Sequence, residues 1–311
     1  MKKMINTTKI QGYLYENKLE LKVSGPDSTK PGTEYITGTI DIATDDNCTN
    51  IVPVHFTYVT ATTSKGSTNA TFTTLRNIVD GVYKTVMTSG KDAAVKLRID
   101  SALGLNEFYT TNKQTNEDEL VSVKRNEGGF VHVTDLLSEE DRNTFACDMV
   151  ITNVRIEEAD EERNTPEKAI VKGAIFDFRG SLLPVEFSAT NPGAINYFLG
   201  LEASAKNPTF TKVWGVQIAE TIVRKITEES AFGADSVREV KSTRKDFLIT
   251  GAAREEYAWD TEETITATEL SDAIAARETY LATIKQRRDD YNASKKQAAI
   301  VNKPSNGGFD F

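Results

Sequence analysis

His55 and His132 are the only histidines of the chain, and Cys48 and Cys147 its only cysteines. Zinc chemistry needs donors gathered through short Cys-x-x-Cys or His-x-x-x-His loops, and neither histidine has such a neighbour. The sequence holds no GxxxxGK[ST] phosphate loop, no GxGxxG turn and no GxSxG elbow. The residues therefore predict no catalytic group, no metal and no cofactor. They do offer flat rings interleaved with cations, the combination that stacks bases and meets phosphates along an unpaired nucleic-acid strand. Tyr13 and Tyr15 face outward if Ile10 and Leu14 face inward. Phe176 and Phe178 face outward with Lys172 if Gly173 and Ile175 face inward. Lys96 and Arg98 alternate with Val95, Leu97 and Ile99, which turns both cations out. Lys124 and Arg125, and Lys241, Arg244 and Lys245, sit in two late hairpins. Trp214 shares its parity with Val216 and Ile218 and is expected in a core.

The elements that position these residues follow from periodicity. Residues 8–23, 34–46 and 50–59 alternate as strands. In the second, Ile36, Gly38, Ile40 and Ile42 share one face, with Tyr35, Thr37, Thr39 and Asp41 opposite. Residues 72–87 have helical spacing at Leu75, Ile78, Val79, Val82 and Val86, with Gly81 weakening the run. Two more strands follow over 93–109 and 119–133. After a linker at 136–145 the order restarts. Strands are predicted at 147–159, 169–180 and 182–189, a helix at 191–204 with Pro192 near its start, and strands at 210–226 and 237–252.

The restart is also visible in residues. Gly38-Thr39-Ile40 matches Gly173-Ala174-Ile175, and Pro53-Val54-His55-Phe56 matches Pro184-Val185-Glu186-Phe187. Val123-Lys124 with Phe130-Val131 matches Val240-Lys241 with Phe247-Leu248. Internal similarity of this kind predicts a tandem duplication. Three strands, a helix and two strands is the element order of the OB-fold, a five-stranded Greek-key barrel. The predicted fold is mainly β with some α: two tandem OB-like barrels at 1–135 and 146–258, a C-terminal helix at 259–297 and a flexible tail at 298–311.

In this arrangement the chain resembles tandem-OB single-stranded-DNA-binding proteins of the replication protein A kind. The closing "NKPSNGGFDF" is similar to the Phe-tipped tail of bacterial and phage single-stranded-DNA-binding proteins, with one acid where those have several. The resemblance implies sequence-tolerant single-stranded-DNA binding in phage replication or recombination. It also implies recruitment of replication or recombination proteins through Phe309, Asp310 and Phe311. A β-rich phage assembly protein is the alternative, and after it a metal-dependent nuclease or an inhibitor of a host enzyme.

The net charge of −9 argues against coating nucleic acid by bulk charge but allows a basic groove on an acidic body. No apolar run is long enough to span a bilayer, and a cytoplasmic protein with reduced thiols is expected. Within 266–297, Leu270, Ile274, Leu281, Ile284 and Tyr291 form a stripe that Arg277 and Arg288 interrupt. Thr266 or Thr268 is the expected cap, with Glu269 in the first turn. This helix is expected to pack back on the second barrel; self-association through it is the other possibility.

Overall fold

The computed structural model describes residues 4–160, 165–228, 232, 236–261 and 264–301. Phe309, Asp310 and Phe311 lie outside the described residues, as does the Lys241 side chain. The first half runs β1 (Asn6–Val23), β2 (Glu34–Ala43), β3 (Ile51–Thr60), α1 (Ala70–Val79), α2 (Val86–Ser89), β4 (Lys96–Thr111) and β5 (Asp118–Val133). The second runs β6 (Asn143–Glu157), β7 (Lys168–Phe176), β8 (Leu182–Ala189), α3 (Pro192–Gly200), β9 (Thr209–Glu228) and β10 (Ser236–Ala252), and α4 (Ala267–Val301) follows. The chain is mainly β, and both halves have the expected order of three strands, a helix and two strands. No helix among the described residues is long and apolar enough to cross a membrane.

The strand pairings close in each half. β1 pairs with β2, β2 with β3, β3 with β5, β5 with β4, and β4 returns to β1. β6, β7, β8, β10 and β9 repeat that circuit. An odd number of strands cannot alternate direction all the way round a ring, so one neighbouring pair must run parallel. In both halves it is the third strand with the fifth. That contact is short, two residue pairs in the first half and one in the second.

Each ring encloses its own core. Ile10, Leu14, Ile36, Ile40, Val54, Phe56, Leu97 and Ile99 fill the first, with Leu75 and Ile78 of α1 against them. Phe145, Met149, Ile151, Val171, Ile175, Phe187, Val213 and Phe247 fill the second, with Ile195 and Phe198 of α3 against them. Both helices start alike. Asn69 Oδ1 accepts from Thr71 N at 3.1 Å and Asn191 Oδ1 from Gly193 N at 2.8 Å, the side-chain cap that a helix start needs. Gly38 and Gly173 also share a role. A Cβ on Gly38, which has φ +124°, would overlap the Lys18 carbonyl of β1, and one on Gly173 would overlap the Val150 carbonyl of β6.

Two expectations are corrected here. The helix predicted over 72–87 stops at Val79, because Gly81 takes φ +71°, the left-handed conformation that ends helices; the short α2 follows. The fifth-strand match is out of phase by one residue. Phe130 is 69% exposed while Phe247 is in the core, and Val131 is the core residue of β5. The register shift between Asp100 and Ala102 in the β4–β5 ladder has no equivalent at that place in β9–β10.

α4 begins with a capping box. Thr266 Oγ1 accepts from Glu269 N at 3.1 Å and Glu269 Oε2 from Thr266 N at 3.0 Å. Its first turns pack on the second half, as expected, and it continues along the β4–β5 hairpin of the first. The two arginines that seemed to interrupt its stripe are its anchors. Arg277 holds Glu107 of β4 at 2.5 Å, and that carboxylate side chain is 2% exposed. Arg288 holds Asp118 of β5 at 2.6 Å. Removing one partner of a buried pair leaves an uncompensated charge, so Arg277→Ala should lower unfolding stability by about 3–5 kcal/mol. Pairing it with Glu107→Gln should restore much of the loss. A urea midpoint for Arg277→Ala equal to the wild type would show that the pair does not pin the helix.

Candidate nucleic-acid interface

The outer faces of β1, β2 and β3 form a continuous surface in the first half. Register sets Lys22 beside Tyr35, Glu20 beside Thr37 and Lys18 beside Thr39. On the other side of β2, Thr39 lies beside His55 and Asp41 beside Pro53. The β2–β3 register shift between Ile36 and Gly38 brings Tyr58 onto this face. Its ring meets that of Tyr35 with centroids 4.5 Å apart and planes at 34°. Tyr58 remains exposed, and its hydroxyl lies 3.0 Å from Ser24 Oγ. His55 Nδ1 lies 3.2 Å from Thr39 Oγ1. Partial burial, and then the nearby Arg125 guanidinium, hold the imidazole below its ordinary pKa of 6.5, so it is neutral at pH 7.

At its lower end this surface runs into a cleft between the halves. Tyr15, Lys18, Thr39, Asp41 and Pro53 line one side, Ala219 and Lys245 the other. Lys18 Nζ is 2.7 Å from both Asp41 and Glu16, whose carboxylates raise its pKa.

Of the residues singled out from the sequence, only Tyr15 and Lys245 meet in this cleft. Tyr13 lies further along β1, its hydroxyl 3.4 Å from Asp46 and the Lys91 ammonium 5.5 Å from its ring centroid. Lys96 is Tyr13's partner on β4 and is exposed. Arg98 is half-buried, 3.3 Å from Asp100, which His132 also approaches at 3.6 Å. Arg125 pairs with Glu127 at 2.5 Å. Lys172 is exposed on β7, with Glu186 at 3.9 Å and Arg155 on the same carboxylate. Arg244 is half-buried on β10.

Lys124 was read as a cation for phosphates and is instead a strut between the halves. Its Nζ stands 5.7 Å from the Phe187 and 5.3 Å from the Phe247 ring centroids and donates to the Glu186 carbonyl at 2.5 Å. Desolvation there lowers its pKa.

The two phenylalanines separate. Phe176 is turned away from the ring core, as parity required, but it is 0% exposed. α4 and the segment before it cover it, through Ile265, Leu270 and Ala273. The expectation of an exposed stacking ring at Phe176 is therefore overturned. Phe178 lies beyond β7 in a turn closed by Asp177 Oδ1, which accepts from Arg179 N and Ser181 N at 2.8 Å. It is 84% exposed, with the Arg179 guanidinium 5.1 Å from its ring centroid. Trp214, expected in a core, is 41% exposed.

Sequence reasoning missed Tyr35, Tyr58, Lys18 and Lys22. Alternation had already set Tyr35 opposite the buried isoleucines, so its outward position was legible; the bulge that turns Tyr58 out was not. Because Phe176 is core to the helix contact, Phe176→Ala should destabilise the fold by about 3–5 kcal/mol. It should leave oligonucleotide binding by the folded protein unchanged. A melting temperature equal to the wild type would contradict this placement.

No curated protein matches the chain. A family model does match, over residues 4–287 and so over most of its length. The chain belongs to the YorF family.

Proposed function

We propose that this protein binds single-stranded DNA, without strong sequence preference, on the outer face of β1, β2 and β3 in its first half. The observation that carries the reading is the Tyr35–Tyr58 ring pair, tilted at 34° with Tyr58 exposed and Tyr35 half-buried, on the same face as His55 and with Lys18, Lys22 and Lys245 at its margins. Two further features support it. Each ring has the strand circuit expected of an OB-fold, which we take both halves to be. OB-folds hold oligonucleotides on the face of strands two and three, and that is where the tyrosines are. On this reading bases stack on the tyrosine rings, and phosphates run along the lysines.

The decisive measurement is fluorescence anisotropy of labelled oligo-dT and of a duplex of equal length, across a salt series. Affinity for the single strand should exceed that for the duplex. Its salt slope should be shallow, near about −2, since roughly −0.7 accrues per phosphate neutralised on a single strand and few lysines border the face. Tyr35→Ala and Tyr58→Ala should each weaken binding by about 1–3 kcal/mol. Equal affinity for duplex and single strand would sink the stacking model. No binding at low salt would favour an assembly protein.

His55 adds a pH signature. Its folded pKa lies below 6.5, so the ring is neutral above pH 6.5 and gains charge only as pH falls through that depressed value. A phosphate at His55 would favour the charged form, so oligo-dT affinity should rise as pH is lowered from 7 toward 5.5. His55→Gln should flatten the rise. A wild-type profile already flat over that range would mean that no phosphate lies near the imidazole.

A further inference from the structure

A second aromatic position lies outside the face just described. Trp214 stands on β9 and lines a groove together with Lys9 of β1 and Thr144 of β6. The site is shaped for the indole. Gly251 is the cross-strand partner of Trp214 at the β9–β10 register shift, and any Cβ there would overlap the indole ring. The ring core lies on the other face of β9, where Val213 is fully buried, so packing of the core does not require a tryptophan at 214. Glu140 and Asp141, in the 3-10 turn Glu139–Asp141 of the linker, line it as well. That linker crosses β1 at Gln11, whose amide donates to the Asp135 carbonyl at 2.6 Å and accepts from Leu137 N at 3.0 Å. The crossing separates this groove from Tyr13 and Tyr15 further along the strand.

An exposed indole, a lysine and two carboxylates line one groove and present three kinds of contact; of the two acids, Asp141 already accepts from Ser138 Oγ at 2.8 Å. The indole offers a stacking plane, Lys9 a partner for phosphate, and Glu140 an acceptor for an amine. We propose that the groove holds one base of the bound strand, stacked on Trp214 with its phosphate on Lys9. Glu140 selects there for a base with an exocyclic amine, accepting from it as carboxylates do from cytosine N4. Thymine has no such amine. The proposal rests on the single-strand reading and adds a second contact point, in the other half, with a base preference of its own.

Trp259→Phe leaves Trp214 as the reporter. This variant is titrated with end-labelled oligo-dC and oligo-dT, following tryptophan emission and label anisotropy together. The emission should fall along the same isotherm as the anisotropy rise, and oligo-dC should bind several-fold more tightly than oligo-dT. Glu140→Gln should bring that ratio close to one. Trp214→Ala should weaken oligo-dC binding by the folded protein roughly tenfold, in line with the loss of one base stack. Should Trp259→Phe fail to fold, the difference in emission change between wild type and Trp214→Phe reports the same contact. Saturating anisotropy with Trp214 emission unchanged, and Trp214→Ala binding like wild type, would overturn the groove and leave the strand-binding reading standing. No anisotropy change with either oligonucleotide would overturn both. Loss of binding in Trp214→Ala but not in Tyr58→Ala would uphold the groove and move the main site away from the tyrosines.

Discussion

The antiparallel ladder between β1 and β6 is the contact on which the rest of the arrangement depends. Asn6 to Ile10 pair with β6, while Thr8 to Tyr13 pair with β4. The start of β1 therefore bridges the two rings, and neither half leaves that edge open for another chain to extend. Side chains then fix the angle between the halves. Asn6 Nδ2 donates to the Leu103 carbonyl at 2.9 Å and to the Phe176 carbonyl at 3.1 Å. The Gln217 carbonyl accepts from Asn143 Nδ2 at 2.5 Å and from Asn50 Nδ2 at 3.2 Å, and Gln217 Oε1 accepts from Asn126 Nδ2 at 2.9 Å. The bonds from Asn6, Asn50 and Asn126 cross between the halves and limit their relative positions, although Asn126 Oδ1, Asn143 Oδ1 and Gln217 Nε2 of the same cluster are buried without a protein partner. The cleft that joins Tyr15 to Lys245 is a consequence of that fixed geometry.

The duplicated surface is used differently in the two halves. By the glycine match, Ala174 and Phe176 of β7 stand where Thr39 and Asp41 stand on β2. Thr39 and Asp41 line an open cleft. Ala174 and Phe176 lie under Ile265, Leu270, Ala273, Tyr257 and Trp259, in an apolar layer that also includes Val150, Leu182 and Phe210. Burying side chains of this size is worth about 1.5–3 kcal/mol each. Uncovering the layer would exceed the whole stability margin of an ordinary domain. α4 is thus a fixed part of the second half rather than a lid over a second copy of the strand-binding face.

Much of the fold was legible because its signals are local. Alternation, turn clusters and helical apolar spacing located the strands and helices, and the repeat located the second half. Contacts made at a distance were not legible. Parity correctly assigned Phe176 to the side opposite the ring core, but parity says nothing about what covers that side. The C-terminal helix supplying the cover is some ninety residues downstream, roughly the distance in sequence from Leu182 to Arg277. Arg277 and Arg288 broke an apolar stripe for the same reason, since their partners Glu107 and Asp118 belong to the first half. Phe130 and Tyr58 were mis-assigned or passed over because a bulge inverts the period-two pattern beyond it, and sequence alone does not mark where a ladder slips.

The electrostatics of the face define what kind of binder it can be. The chain carries nine more acids than bases, and two of the three lysines at the face are already engaged. Lys18 is shared by Glu16 and Asp41, and Lys22 is held by Glu20 at 2.7 Å. A phosphate arriving here exchanges one anionic partner of a lysine for another, so little of the usual counterion-driven affinity is gained. The same carboxylates repel duplex DNA, whose charge density is higher and whose bases are not offered for stacking. Affinity on such a surface must come chiefly from ring-on-ring contact, which only an unpaired strand supplies. If the proposed function holds, an acidic protein with a paired tyrosine face would discriminate single strand from duplex at the cost of weaker binding overall.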